Sequence, residues 1–176
     1  MGGHNKWSQI KRQKSANDAA KSRIWGKLGR RLAVESKKAK GDASAANVRA
    51  IIEMAKRENM PKDAIERAIA KGSAVDTAAM EAITYETYGP GGAAIIIETL
   101  TDNRNRTAQE IKHILMKNGL TLATPGSAAW AFTKTAEGYE PHSTVELTEG
   151  DNARLLEILE EIDAHDDVEN VYTNAV

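Results

Sequence analysis

The sequence predicts an α+β protein: an N-terminal three-helix domain, then an α/β sandwich of ferredoxin-like ββαβαβ order with a mostly antiparallel sheet. Three observations lead there. Apolar residues recur at helical spacing through residues 16–72, a β-branched run follows a Pro-Gly-Gly turn at residues 90–92, and the sign of charge reverses between the two halves. Residues 1–72 hold 18 Lys+Arg against 7 Asp+Glu, whereas residues 73–176 hold 6 against 18. The net charge of -1 therefore conceals a basic region joined to an acidic one.

A chain of 176 residues, 41% hydrophobic and 28% charged, can build one or two compact domains with real cores. No apolar run approaches the roughly 18 residues that span a bilayer, and the N-terminus lacks the apolar stretch of a secretory signal. A cytoplasmic location is the expectation, although composition alone leaves a basic mitochondrial presequence open. The absence of cysteine removes disulfides, thiolate nucleophiles and Cys-ligated zinc. Met1-Gly2 suggests N-myristoylation, but Lys6 stands where that motif needs Ser or Thr.

Residues 2–15 form a basic, glycine-led arm with one aromatic, Trp7. Two fates are open to Trp7: packing back into the helical domain, which is the commoner, or stacking on a base. Gly2-Gly3-His4, with a free amine after loss of Met1, has the spacing of a square-planar copper or nickel site, a pattern that also arises by chance. From 16 to 40 the pattern is helical. Ile24, Trp25, Leu28, Leu32 and Ala39 share one arc, and Arg23, Lys27, Arg30, Arg31, Lys37 and Lys38 the opposite one. A charged arc is usually only solvated. One that merely solubilised the helix would mix signs for i,i+4 pairing, and this arc is nearly all positive, which favours a polyanion partner.

Gly41-Asp42 ends that helix, and a second, with Val48, Ile51, Ile52 and Ala55, runs to about Glu58. Pro61 opens a third with Ile65, Ala68 and Ile69, which Gly72 is expected to stop. Residues 72–79 are small and weakly patterned and place a boundary between domains 1–75 and 76–176. A hairpin follows, its strands flanking the turn at 90–92, and its second strand enters the polar loop 102–106. Thr107 and Glu110 then stand at capping-box spacing for a helix to Asn118, stopped at Gly119. Residues 127–133 read as a third strand, 134–143 as loop, Thr148 and Asp151 as the cap of a last helix, and 170–175 as a closing strand.

Enzymatic readings find little. Four scattered histidines and no cysteine offer no nucleophile with a base beside it. Asp163, Asp166, Asp167 and Glu169 have the hard oxygens that Mg²⁺ prefers, which keeps a metal-dependent nuclease as an alternative, but such clusters more often mark an exposed helix exit. Gly89 to Gly92 lacks the Lys-Ser/Thr of a P-loop and precedes a strand, so it reads as a tight turn. No catalytic residue, metal site or cofactor is expected. Base stacking by the sheet also fails as a reading, since strand 93–100 is aliphatic and its half of the chain acidic.

GHNKWSQIKRQKSANDAAKSRIWGKL, NMPKDAIERAIAKG, YETYGPGGAAIIIETLTDNRNRT, GSAAWAF and DDVENVYTNA resemble successive signature blocks of the YebC/PmpR family, which includes the mitochondrial translational activator of cytochrome c oxidase. The resemblance implies an N-terminal helical domain, α/β domains and a nucleic-acid-binding role. Some members are DNA-binding transcriptional regulators and others translation factors at the ribosome. Family members usually carry a third domain inserted in the second; here the segment around Trp130 reaches Val145-Glu146-Leu147 after a short loop, as in a form without it.

The expected function is a non-enzymatic, cytoplasmic, nucleic-acid-binding regulator of gene expression, a DNA-binding transcriptional regulator or alternatively an RNA- or ribosome-associated translation factor. The expected contacts are Lys6, Trp7, Lys11, Arg12, Lys14, Lys21, Arg23, Lys27, Arg30, Arg31, Lys37 and Lys38. Arg104 and Arg106 join them as residues that either reach phosphate or pair with nearby carboxylates.

Overall fold

The computed structural model describes Trp7, residues 18–73 and residues 79–176. The arm apart from Trp7, and most of the expected domain boundary, lie outside the described residues, so the copper-type motif and the hinge are left as sequence expectations. Two compact units are present. Among the described residues no helix is long and apolar enough to cross a membrane.

The helical unit contains α1 (Asp18–Lys38), α2 (Ala46–Arg57) and α3 (Lys62–Ser73). Its core gathers Leu28, Leu32, Val48, Ile51, Ala55, Met60, Ile65 and Ala68, with Ile24, Trp25 and Ala39 partly buried against it. The predicted apolar arc of the first helix is thus the packed one. Small residues let α1 and α3 approach closely. Ser36 Oγ donates to the Ile69 carbonyl at 2.9 Å, and a Cβ on Gly72 would lie 2.1 Å from the Ala33 carbonyl oxygen. Gly72 is therefore not a helix stop: α3 continues through it, and its missing side chain admits the α1 backbone. Between α1 and α2 the chain reverses through Lys40 and Gly41, at φ 53° and 85°, and Asp42 caps the turn by accepting from Ser44 N at 2.8 Å.

The second unit runs β1 (Glu81–Tyr88), a 3₁₀ turn (Pro90–Gly92), β2 (Ala94–Thr101), α4 (Arg104–Lys117), a 3₁₀ turn (Ala129–Ala131), β3 (Phe132–Thr135), β4 (Gly138–Pro141), α5 (Glu149–Asp163) and β5 (Val168–Thr173). The main sheet has the order β1-β2-β5, and both pairings are antiparallel. This is the α+β class that the sequence predicts. Central strand β2 is buried on both faces, which its unbroken Ala94-Ile95-Ile96-Ile97 run anticipates. Ile95 and Ile97 share a core with Ile111 and Leu115 of α4, Leu155, Ile158, Leu159 and Ile162 of α5, and Trp7. On the other face Ala94 and Ile96 pack against Ala128, Ala131 and Phe132.

That second layer differs from the expectation. Residues 127–133 do not supply a strand of the main sheet: Ala129–Ala131 is a 3₁₀ turn, and β3 pairs only with β4. Residues 134–143, expected as loop, carry most of this small hairpin. The small-aromatic alternation suits packing across the back of a sheet as well as pairing within it, because both demand one apolar face. Gly138 makes the fit possible: at φ +127° its Cβ would lie 2.2 Å from the Tyr172 hydroxyl oxygen.

The helix caps divide the same way. Thr148 caps α5, accepting from Asp151 N at 3.1 Å, as the spacing predicts. α4 is capped instead by Asn103, whose Oδ1 accepts from Arg106 N at 3.1 Å, while Thr107 lies a turn inside the helix and is fully buried. Two candidate caps four residues apart compete, and the one facing solvent caps while the other turns inward.

Candidate nucleic-acid interface

Helix α1 positions most of the described candidates. Lys21, Arg23, Lys37 and Lys38 are exposed, and Arg30 and Arg31 are half-buried. Lys38 Nζ lies 2.6 Å from Glu35 Oε1, and Asn47 Nδ2 donates to the other Glu35 oxygen at 2.6 Å. Partial burial by itself raises the Glu35 pKa; these two hydrogen bonds, with the charges of Lys38 and Arg31, bring it below the ordinary carboxylate value. Lys38 is accordingly neutralised in part, and Lys21 and Arg23 are the stronger candidates for a phosphate. The exposed cations Lys40, Arg49 and Arg57 were not singled out from the sequence. They fall beyond the α1 arc, where a single-helix periodicity argument does not reach.

The structure places four of the expected contact residues away from a free cationic surface. Lys27 is only 7% exposed; it immediately precedes Leu28 at the edge of the packed stripe, where a lysine stem is readily covered. Trp7 is 4% exposed and lies in the core of the α+β unit, so it neither packs into the helical unit nor presents a ring to a base. The physical reason is that its large apolar ring is buried in the cluster that also holds Tyr85, Ile111 and Leu115. Arg104 and Arg106 take the carboxylate alternative: Arg104 Nη2 lies 2.6 Å from Glu81 Oε1, and Arg106 Nη2 lies 2.9 Å from Asp102 Oδ1 and 3.0 Å from Asp167 Oδ2. Lys6, Lys11, Arg12 and Lys14 lie outside the described residues.

Of the acidic residues Asp163, Asp166, Asp167 and Glu169, Asp167 is the one paired with Arg106. Asp167 is buried, and the Thr107 hydroxyl reaches its Oδ2 at 2.7 Å. His165 Nδ1 accepts from Asp167 N at 3.1 Å, which leaves Nε2 to donate to Glu110 Oε2 at 2.8 Å. Ligand atoms of Glu110, His165 and Asp167 all lie within 4.8 Å of one another. Their hydrogen bonds run to a guanidinium, a hydroxyl and an imidazole, partners that hold the α4 and β5 entrances together.

Comparison with known proteins bears on this arrangement. The profile of the TACO1/YebC protein N-terminal domain matches residues 5–75, and that of the TACO1/YebC second and third domain matches residues 80–137. A probable transcriptional regulatory protein of Fervidobacterium nodosum is 45% identical over 160 residues, covering 90% of this chain and 63% of its own length. The chain thus spans less than two thirds of that relative. One of the same description from Thermomicrobium roseum is 38% identical over 239 aligned positions, covering 99% of this chain and 96% of its own length. Because this chain has only 176 residues, that relative carries positions with no counterpart here. The crystal structure of a conserved hypothetical protein from Aquifex aeolicus superposes with a TM-score of 0.79 at 25% identity, covering 90% of this chain and 91% of that one. With helical and α+β units both matched in order, the chain belongs to the TACO1/YebC family.

Proposed function

We propose that the protein is a DNA-binding regulator of transcription whose helical unit grips phosphate through the exposed cations of α1. The observation that supports this reading is the segregation of charge: 18 Lys+Arg against 7 Asp+Glu in residues 1–72, against a strongly acidic remainder. The names of the relatives, probable transcriptional regulatory proteins, point the same way. On this reading residues 1–75 are the gripping domain. Residues 76–176 keep the protein from coating the polymer indiscriminately, because like charge repels. The action is cytoplasmic and involves no catalytic step.

The test replaces Lys21, Arg23, Lys37 and Lys38 together by Gln and measures duplex DNA affinity against salt. Each lost phosphate contact removes about 0.9 from the slope of log affinity on log salt. The expected flattening is up to about three to four units, with similar weakening on every sequence, because phosphate contacts position without specifying. Unchanged affinity and slope in a variant with native circular dichroism would overturn the reading.

A further inference from the structure

One corner of the α+β unit exposes two large aromatic side chains, Tyr88 at 37% and Trp130 at 58%. They meet at the end of β1, where Trp130 Nε1 donates to the Tyr88 hydroxyl at 2.8 Å. Leu122, bridged to Thr87 on the outer edge of that strand, shares the Thr87 face and lies opposite Tyr88.

The corner is rigidly made. Glu86 is buried, and its carboxylate accepts from the backbone N–H groups of Gly126 at 2.7 Å, Ala128 at 2.7 Å and Ala129 at 2.9 Å. The Tyr88 hydroxyl donates to the Ser127 carbonyl, and Thr87 Oγ1 donates to the Thr121 carbonyl at 2.7 Å. Every residue of the loop from Gly126 to Trp130 is thereby tied to β1 by one of its own atoms. A tryptophan held in this way loses little freedom when a partner covers it, which is the property of an interface anchor.

Charge identifies the class of partner. Residues 118–133 contain no Asp, Glu, Lys, Arg or His. A neutral patch with a Trp and a Tyr has the composition of a protein interface centre. Around it, residues 81–176 hold 6 Lys+Arg against 17 Asp+Glu, a net charge of -11. That field repels a polyanion and draws in a cationic chain.

We propose that this corner docks a cationic protein segment, an aliphatic or methionine side chain lying on Trp130 and lysine or arginine residues flanking it. The surface belongs to the α+β unit, and the proposal does not depend on what the α1 cations bind.

The test selects a random dodecapeptide library against the immobilised full chain, with the Trp130→Ala chain as counter-selection, and then titrates single peptides by fluorescence polarisation. The expected winners are net positive, share one Leu, Ile, Val or Met position, bind Trp130→Ala at least about tenfold more weakly, and weaken as salt is raised. Trp130 is exposed, so its truncation leaves the core intact. Tyr88→Phe, which removes the hydroxyl that orients the indole, is expected to lie between the two. Met116→Ala, at a residue 61% exposed, is expected to bind as the unaltered chain does. Enrichment of acidic or neutral peptides, or none above the counter-selection, overturns the proposal. So does tight binding of a labelled oligouridine that Trp130→Ala abolishes, which would make the corner a base-stacking platform.

Discussion

The Thr107 hydroxyl donates to Oδ2 of Asp167 at 2.7 Å across sixty residues of chain. A carboxylate can only accept, so the single proton of Thr107 goes there, and the contact of 2.7 Å between Thr107 Oγ1 and Thr101 Oγ1 must be made by the Thr101 proton. Thr101 in turn accepts from Asn103 N at 2.9 Å. A directed chain of hydrogen bonds therefore runs from the α4 cap to the β5 entrance, and Arg106 closes it on the same Asp167 oxygen.

Breaking that chain at its middle is expected to destabilise the α+β unit. Thr107→Val leaves a buried Thr101 hydroxyl without an acceptor and Asp167 with one donor fewer, a loss of about 1–3 kcal/mol, whereas Thr107→Ser retains both bonds. Urea denaturation followed by circular dichroism compares them; equal midpoints for the two variants would show that the chain contributes nothing.

Glu86 makes stability depend on pH. Burial alone raises its pKa, but the N–H groups of Gly126, Ala128 and Ala129 outweigh burial and hold the folded value below the ordinary one. A depressed carboxylate contributes stability that is present above its unfolded pKa, about 4.3, and is lost as pH falls through the folded value. Melting temperature is therefore expected to fall on acidification below about pH 4.3, and less steeply in Glu86→Gln, which is already destabilised at neutral pH. Parallel profiles for the two proteins would refute the assignment.

Gly72→Ala is expected to disrupt the helical unit. Its methyl would sit 2.1 Å from the Ala33 carbonyl, so α1 and α3 must separate, at a cost of about 1–3 kcal/mol or more. Gly26→Ala is the control, since nothing lies within 4 Å of a Cβ there. It is expected to be neutral or slightly stabilising by helix propensity, and calorimetry distinguishes the two.

Trp7→Ala is expected to cost about 3–5 kcal/mol, as for other buried aromatic truncations. DNA affinity of the remaining folded protein is expected to be unchanged, because the indole is buried in the α+β core. Strong loss of affinity without loss of stability would restore Trp7 as a stacking residue.

Arg104 and Arg106 separate by burial of their partners. Arg104 and Glu81 are 64% and 51% exposed, so Arg104→Gln is expected to change stability by less than about 1 kcal/mol. Asp167 is 7% exposed, so Arg106→Gln removes the charged partner of a buried carboxylate and is expected to be clearly the more destabilising of the two. Neither is expected to flatten the salt dependence of DNA binding as the α1 substitutions do.

Periodicity and charge alone determined the three helices, the hairpin and the reversal of charge between the halves. These are local properties, each written in residues within a few turns or one strand of each other. Thr148 could be recognised as a cap because its partner, Asp151, stands three residues away. Tertiary structure decided what depended on distant neighbours. Gly72 reads as a stop until Ala33 is found against it, and Thr107 reads as a cap until Asp167 draws it inward. Lys27 reads as a surface residue although it is buried, and Trp7 reads as packed into the helical domain or stacked on a base until it is found in the core of the α+β unit. Trp130 reads as a strand residue until Glu86 fixes its loop on the sheet edge. For Gly72, Thr107 and Trp130 the deciding atom lies more than thirty residues away, and such a neighbour leaves no periodic trace in the local sequence.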